Sequence, residues 1–155
     1  MPKHNTEIFF PYSVEKVYEM VKNIEEYPLF LPNCSHLTVL NRQKIDQNTQ
    51  NEGEIEPILA EMGVKYSVFS EKFISKVQIN QKQKRISVKL NSGPLKNLSN
   101  DWQFIEHPKG CIALFTIQIE MKNFALRLAL AAAFKIGVNE ITEAFKKRAD
   151  ILYSN

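Results

Sequence analysis

The sequence predicts an α+β fold in which a curved antiparallel sheet of about six or seven strands wraps around one long C-terminal helix. Three observations predict it. Alternating apolar residues mark a series of strands between residues 34 and 120. Short turn-rich joints separate these strands, so neighbours in the chain should pair antiparallel. Residues 123–153 then predict one long helix, the only element long enough to cover the sheet.

The chain opens with a short strand and two short helices. Glu7–Phe10 is a strand candidate. Ser13 is a suitable helix N-cap, because apolar residues recur at helical spacing between residues 14 and 24. Tyr27–Pro32 contains two prolines, which predicts a single turn with Pro28 near its start.

Six strand segments follow. The first three predicted strands are Leu37–Ile45, Gly53–Glu61 and Val64–Ile79, with Met62-Gly63 as a joint. The apolar positions of the third segment change phase between Val68 and Phe69, which indicates a bulge or a sharp bend within one strand. The last three strands each carry one apolar face, formed in turn by Ile86, Val88 and Leu90, by Leu98, Trp102 and Phe104, and by Ala113, Phe115, Ile117 and Ile119.

The first half of the C-terminal helix is more apolar than a helix on a sheet needs to be. Only Arg127 and Lys135 are charged between Phe124 and Val138. Such a helix must be buried on nearly all sides, by a thick protein core, by a lipid-like ligand or membrane surface, or by a partner chain. The alanines between positions 129 and 133 leave room beside the helix, which a bound ligand would fill.

The first half of the C-terminal helix carries two apolar stripes, whereas its second half carries one. The stripes consist of Phe124, Leu128, Ala131, Phe134 and Val138, and of Leu126, Leu130, Ala133 and Gly137.

Catalytic and metal-binding patterns are weak. The three histidines His4, His36 and His107 have no second ligand at helical spacing, and the sequence contains no phosphate loop, nucleophile elbow or dinucleotide fingerprint. Cys34, with His36 nearby, is a weak candidate nucleophile. The spacing of Cys34 and Cys111 favours reduced thiols over a disulfide. We expect no enzymatic activity, no metal and no required cofactor.

The net charge of the chain excludes few classes of function. The net charge of +3 could help the protein approach an anionic surface, but it does not identify a nucleic-acid-binding protein. Glu52, Glu54 and Glu56 share one face of a predicted strand, where a solvated acidic face is favoured over paired acid–base groups.

Three separated blocks resemble one family. They are FPYSVEKVYEMVKNIEEYPLFLPNC (Phe10–Cys34), GPLKNLSNDWQF (Gly93–Phe104) and AFKKRADILY (Ala144–Tyr153). In this order they resemble the coenzyme Q-binding family of the START-like (polyketide cyclase/dehydrase-like) superfamily, which includes RatA-type ribosome-association toxins. Leu95 departs from the pattern, since the family usually has Phe there.

The resemblance implies a helix-grip fold over residues 1–155, with a cavity between the sheet and the C-terminal helix. It also implies binding of ubiquinone or a similar polyprenyl lipid, in support of respiratory electron transport as a carrier or chaperone. The alternative that it implies is a RatA-type toxin, which binds a ribosomal subunit and blocks subunit association. A cyclase or hydrolase would need inward-facing polar groups, which the predicted inner face largely lacks.

The N-terminal sequence shows no mitochondrial presequence. We therefore expect a bacterial cytoplasmic protein, peripheral at the inner membrane if it contacts one, with no DNA partner.

The lipid hypothesis assigns the ligand to apolar side chains on the sheet and the helices. The expected ligand-binding residues are Tyr27, Phe30, Phe69, Phe73, Trp102, Phe104, Phe115, Phe124, Leu128, Ala131 and Phe145. A long tail should leave through a mouth formed by Tyr27–Pro32 and the start of the long helix. Leu29, Phe30 and Phe124 would contact the tail or the membrane there.

Overall fold

The computed structural model describes residues 3–42, 55–66 and 69–154, without the side chains of residues 55, 56, 66, 69 and 130. The elements are β1 (Lys3–Phe10), α1 (Val14–Lys22), a 3-10 helix (Ile24–Leu29), β2 (Cys34–Arg42), β3 (Ile55–Tyr66), β4 (Phe69–Asn80), β5 (Arg85–Ser92), β6 (Leu95–His107), β7 (Gly110–Met121) and α2 (Phe124–Tyr153).

The strands form one antiparallel sheet of seven strands in the order β1-β7-β6-β5-β4-β3-β2. Strands β2 to β7 pair as a meander, and β1 adds to the free edge of β7. Helix α2 has 30 residues and so extends roughly 45 Å at about 1.5 Å per residue. The predicted fold class is confirmed: a curved antiparallel sheet with one long C-terminal helix.

Side-chain caps begin both α-helices. The Ser13 hydroxyl accepts a hydrogen bond from the backbone N–H of Lys16, as predicted. The Asn123 side chain accepts from the backbone N–H groups of Ala125 and Leu126. Each cap satisfies amide groups that have no partner within the first helical turn.

The predicted place of Pro28 is wrong. Pro28 is the fifth residue of the 3-10 helix, which begins at Ile24 and directly follows α1. The buried side chain of Ile24 anchors this earlier start in the core.

The predicted boundaries of the second and third strands are also wrong. Met62-Gly63 lies inside β3, and the chain reverses between Tyr66 and Phe69, which are paired opposite each other. The phase change near Phe69 therefore marks a hairpin and not a bend within one strand. Gly63 serves close packing, since a Cβ there would lie 2.4 Å from the His36 ring. The predicted ends at Ile45 and Gly53, and the acids Glu52 and Glu54, lie outside the described residues.

The main core fills the space between the concave face of the sheet, helix α1 and the later part of α2. The apolar faces predicted for the last three strands are confirmed. Ile86, Trp102, Phe104, Ala113 and Phe115 are buried there. Opposite them, α1 buries nearly all of its apolar side chains, which the predicted helical spacing had placed on one face.

Candidate functional site

The two halves of α2 have different surroundings. We call residues 124–137 the N-terminal half and residues 138–153 the C-terminal half. In the C-terminal half, Val138, Phe145 and Ala149 are at most 2% exposed. In the N-terminal half, Phe124 and Leu128 are 68% and 59% exposed. The C-terminal half of the helix is therefore packed more closely into the core than the N-terminal half.

An aromatic cluster forms around Phe145. Its ring lies 4.9 Å from that of Trp102, 5.5 Å from that of Tyr27 and 5.2 Å from that of Phe30, all close to edge-on. Trp102 in turn contacts Phe115 and Phe104. Edge-on aromatic pairs contribute about 0.5–1.5 kcal/mol each beyond the burial of their area. The cluster consists of Tyr27, Phe30, Trp102, Phe104, Phe115 and Phe145.

The Tyr27 hydroxyl of this cluster and the neighbouring Arg148 guanidinium both have partners within the protein. The Tyr27 hydroxyl donates to the backbone carbonyl of Val21 at 2.5 Å, and burial raises the pKa of Tyr27 above its ordinary value. The Arg148 guanidinium lies 5.3 Å from the centre of the Phe30 ring and 3.6 Å from the Glu26 carboxylate. Apart from the partly exposed Phe30, the rings of the cluster are buried in the core.

A second apolar cluster lies under the start of α2. It contains Leu95, Leu98 and Met121, with Phe73, Leu90, Ile119 and Leu126 packed against them. Leu126 and Phe145 are 19 positions apart, so the two clusters lie roughly 28 Å apart along the helix.

Several apolar side chains that border these clusters on the concave face are only half-buried. Strand pairing aligns Leu37, Met62 and Phe73 in one row across β2, β3 and β4. All three are half-buried. Val39 and Leu90 end the next row, which crosses β2 to β5, and both are half-buried too. Apolar side chains that face a helix yet keep exposed area indicate a gap between sheet and helix.

The helix side of this gap is also open. A Cβ added to Gly137 would have no atom within 4 Å, the nearby backbone of α2 apart. Ala133 and Phe134, one turn earlier, are half-buried. We call this space the cleft; its described lining is Leu37, Val39, Met62, Phe73, Val88, Leu90, Ala133, Phe134, Gly137 and Ile141.

The predicted ligand residues divide into four groups. Tyr27, Phe30, Trp102, Phe104, Phe115 and Phe145 come together in the aromatic cluster, and Phe73 borders the cleft. Phe124, Leu128 and Ala131 lie on the exposed outer side of α2. The side chain of Phe69 lies outside the described residues.

The predicted mouth does not form at one place. Phe30 contacts Phe145, which is 21 positions after Phe124, or roughly 31 Å along α2. Leu29 is exposed, but at this far end. The Tyr27–Pro32 segment therefore closes the end of the cleft that is remote from the start of α2.

The cleft lining could only partly be found from the sequence. Ala133 and Gly137 of one predicted stripe and Phe134 of the other are half-buried beside the cleft, whereas Phe124 and Leu128 are exposed. The alternation of Leu37 and Val39 in β2 was an available signal for the sheet side.

The weak candidate nucleophile has the wrong surroundings for catalysis. Burial raises the pKa of the Cys34 thiol to about 11, so the reactive thiolate is scarce at neutral pH. The thiol contacts the His36 carbonyl oxygen at 3.7 Å, and the His36 ring pairs instead with Glu61 at 3.0 Å. No cluster of three metal-ligating side chains occurs within the described ranges.

None of the helices in the described part of the chain combines the length and the hydrophobicity needed to cross a membrane.

The sequence pattern of the family described as "Polyketide cyclase / dehydrase and lipid transport" matches residues 10–146, and the chain belongs to this family. The predicted START-like membership is therefore confirmed, as is the likeness to RatA and coenzyme Q-binding proteins.

Curated relatives carry two different names. The chain is 31% identical over 143 residues to "Ribosome association toxin RatA" of Rickettsia prowazekii, which covers 90% of each chain. It is 28% identical over 155 residues to the protein of the same name from Escherichia coli, covering 99% of this chain and 90% of that one. It is 29% identical over 147 residues to the mitochondrial "Coenzyme Q-binding protein COQ10" of Dictyostelium discoideum, covering 93% of this chain and 67% of that one.

Solved structures have the same fold. An 18 kDa protein from Caulobacter crescentus superposes with a TM-score of 0.81 at 27% identity, over the full length of both chains. The ZhuI aromatase/cyclase from Streptomyces superposes with a TM-score of 0.75 at 12% identity, over 96% of this chain and 92% of that one, which shows the fold alone.

Proposed function

We propose that the protein binds ubiquinone or a similar polyprenyl lipid in the cleft and supports respiratory electron transport as a carrier, with residues 1–155 acting as one lipid-binding domain. The observation that carries this proposal is the open, apolar space beside Gly137. The name of the COQ10 relative supports a quinone as the ligand.

The cleft suits a long hydrocarbon tail better than a compact ligand. Its lining includes Phe73 and Leu90 of the second apolar cluster, and the half-exposed side chains would let a tail continue outside. Each CH₂ group that leaves water contributes up to about 0.8 kcal/mol, so a few isoprene units suffice for tight binding.

We propose that the protein carries the lipid without reacting with it. The Cys34 thiol is protonated at neutral pH, and the Tyr27 hydroxyl is committed to a backbone carbonyl. Neither group can serve as a free acid, base or nucleophile toward a ligand in the cleft.

The outer side of the N-terminal half supports peripheral contact with a membrane. Phe124, Leu128 and Ile136 are exposed there, and the exposed charges beside them are those of Lys122 and Lys135. An apolar helix face flanked by lysines suits the interface of an anionic bilayer, which is where a polyprenyl lipid resides.

The direct test is extraction of the purified protein with organic solvent, followed by mass spectrometry. Gly137→Leu fills the open side of the cleft, and Ala132→Leu places the same side chain on the exposed outer side of the same helix. We expect a co-purified quinone or polyprenyl lipid with the wild type and Ala132→Leu, and much less with Gly137→Leu. Repeated wild-type preparations without any lipid would count against the proposal.

A second candidate is a RatA-type toxin that binds a ribosomal subunit and blocks subunit association. The names of relatives that match over 90% of their own length favour it, together with the net charge of +3. Binding to ribosomal RNA should weaken steeply with salt, since phosphate contacts release counterions. Co-sedimentation with separated subunits at low and high salt tests this; the absence of binding at low salt would exclude it.

A further inference from the structure

One polar side chain interrupts an apolar row on the concave face of the sheet. Strand pairing places Val77, Val88, Asn100 and Ile117 side by side across β4, β5, β6 and β7. Asn100 lies two positions from the buried Leu98 and from the buried Trp102 on β6, so its side chain is on the same, concave face of the sheet as theirs. It is half-buried, whereas Ser75 in the next row is enclosed at 5% exposed.

The orientation of the Asn100 amide follows from its single described partner. Its Nδ2 donates to the backbone carbonyl oxygen of Thr116 at 2.8 Å. A carbonyl oxygen can only accept, so nitrogen and not oxygen must face it. One N–H of Nδ2 and the Oδ1 atom are then left to bind another group. Because Thr116 lies in β7, which is paired on both sides, the amide is held against a rigid part of the sheet.

We infer that Asn100 is a positioning residue that hydrogen-bonds the polar head group of a lipid held in the cleft; this rests on the proposed function. The remaining N–H would donate to a ring carbonyl, and Oδ1 would accept from a ring hydroxyl, so the amide serves the oxidised and the reduced form of a quinone. Val88 and Ile117 flank Asn100 in the same row, so the amide lies among apolar side chains. The binding of a hydrocarbon that has no polar head group should not depend on Asn100.

The test compares two probes on purified protein: a short-tail ubiquinone and squalene, a hydrocarbon of isoprene units without a polar head. Asn100→Leu keeps the side-chain size and removes all hydrogen bonding. Loss of one hydrogen bond should weaken ubiquinone binding about three- to tenfold and leave squalene binding unchanged. Asn100→Ala, which adds no bulk, is the second variant and should give the same selective loss, with thermal unfolding as the check on folding.

Two outcomes would overturn the inference while the proposed function stands. One is unchanged ubiquinone binding in both variants. The other is an equal loss for ubiquinone and squalene, which would make Asn100 a packing residue only. If the wild type binds neither probe, the proposed function itself fails.

Discussion

The two halves of α2 differ in the polarity of the side chains that they expose to solvent. In the N-terminal half the outer side is apolar, with Phe124, Leu128 and Ile136 exposed. In the C-terminal half the exposed positions are mostly charged, namely Glu140, Glu143, Lys146, Lys147 and Asp150, although Ile151 and Leu152 are also exposed there. The C-terminal half is packed into the core, whereas the N-terminal half keeps large apolar side chains exposed to solvent.

The first thirty residues cause this difference, because they pack on the C-terminal half. The Tyr12 hydroxyl donates to Asp150 at 2.6 Å, and the Tyr153 hydroxyl donates to the Lys16 carbonyl at 2.7 Å. Tyr27 adds its ring to the aromatic cluster around Phe145. In the described part of the chain, no corresponding layer covers the outer side of the N-terminal half.

The largest expected effect distinguishes the two halves by stability. Phe145→Ala removes the centre of the aromatic cluster and should lower the free energy of unfolding by about 3–5 kcal/mol. The matched substitution Phe124→Ala, at an exposed position, should change it by less than about 0.5 kcal/mol. Urea unfolding measures both. Equal losses would mean that the N-terminal half is packed after all.

The next effect concerns the outer side of the N-terminal half. Leu128→Glu combined with Ile136→Glu should weaken binding to anionic phospholipid vesicles by about 2–4 kcal/mol, because two apolar side chains leave the interface and two negative charges enter it. Vesicle co-sedimentation measures this. Ile151→Glu, at an equally exposed position of the C-terminal half, is the control and should change little. The same loss in the control would remove the distinction between the halves.

A smaller effect is expected at the open position of the helix. Gly137→Ala should raise the free energy of unfolding by about 0.5–1 kcal/mol, since alanine favours the helix and its Cβ meets no atom. Thermal unfolding measures the change. A destabilised variant would show that the space beside Gly137 is already filled.

The last prediction concerns stability at alkaline pH. Burial raises the pKa values of Cys34 and Cys111 to about 11, whereas an unfolded thiol titrates near 9. The contribution of the two buried, protonated thiols to the free energy of unfolding is therefore complete below pH 9. It is lost as the pH rises from 9 through 11. Cys34→Ala/Cys111→Ala should be less stable at pH 7 but should lose less stability over this interval. Chemical unfolding at several pH values measures it, and parallel curves for the two proteins would contradict it.

Local signals were sufficient for much of the fold. Ser13 and Asn123 cap helices because their side chains can accept from free backbone amides, whatever the rest of the chain does. The alternation of Leu98, Trp102 and Phe104 located a buried face, because strand side chains point to opposite sides in turn. The hairpin between Tyr66 and Phe69 was missed, since a reversal of the chain and a bulge shift the apolar phase in the same way.

By itself the sequence determined the order of the elements, the Ser13 cap, the family and the apolar faces of the last three strands. Only the tertiary structure decided which side of α2 faces the sheet. A helix apolar on nearly all sides carries no local signal for its rotation, so packing of α1 and the 3-10 helix on its far end sets that rotation. With this rotation Phe124 and Leu128 are exposed, while Gly137 borders the cleft. The face on which Asn100 lies is instead set locally, by the alternation of side chains along β6.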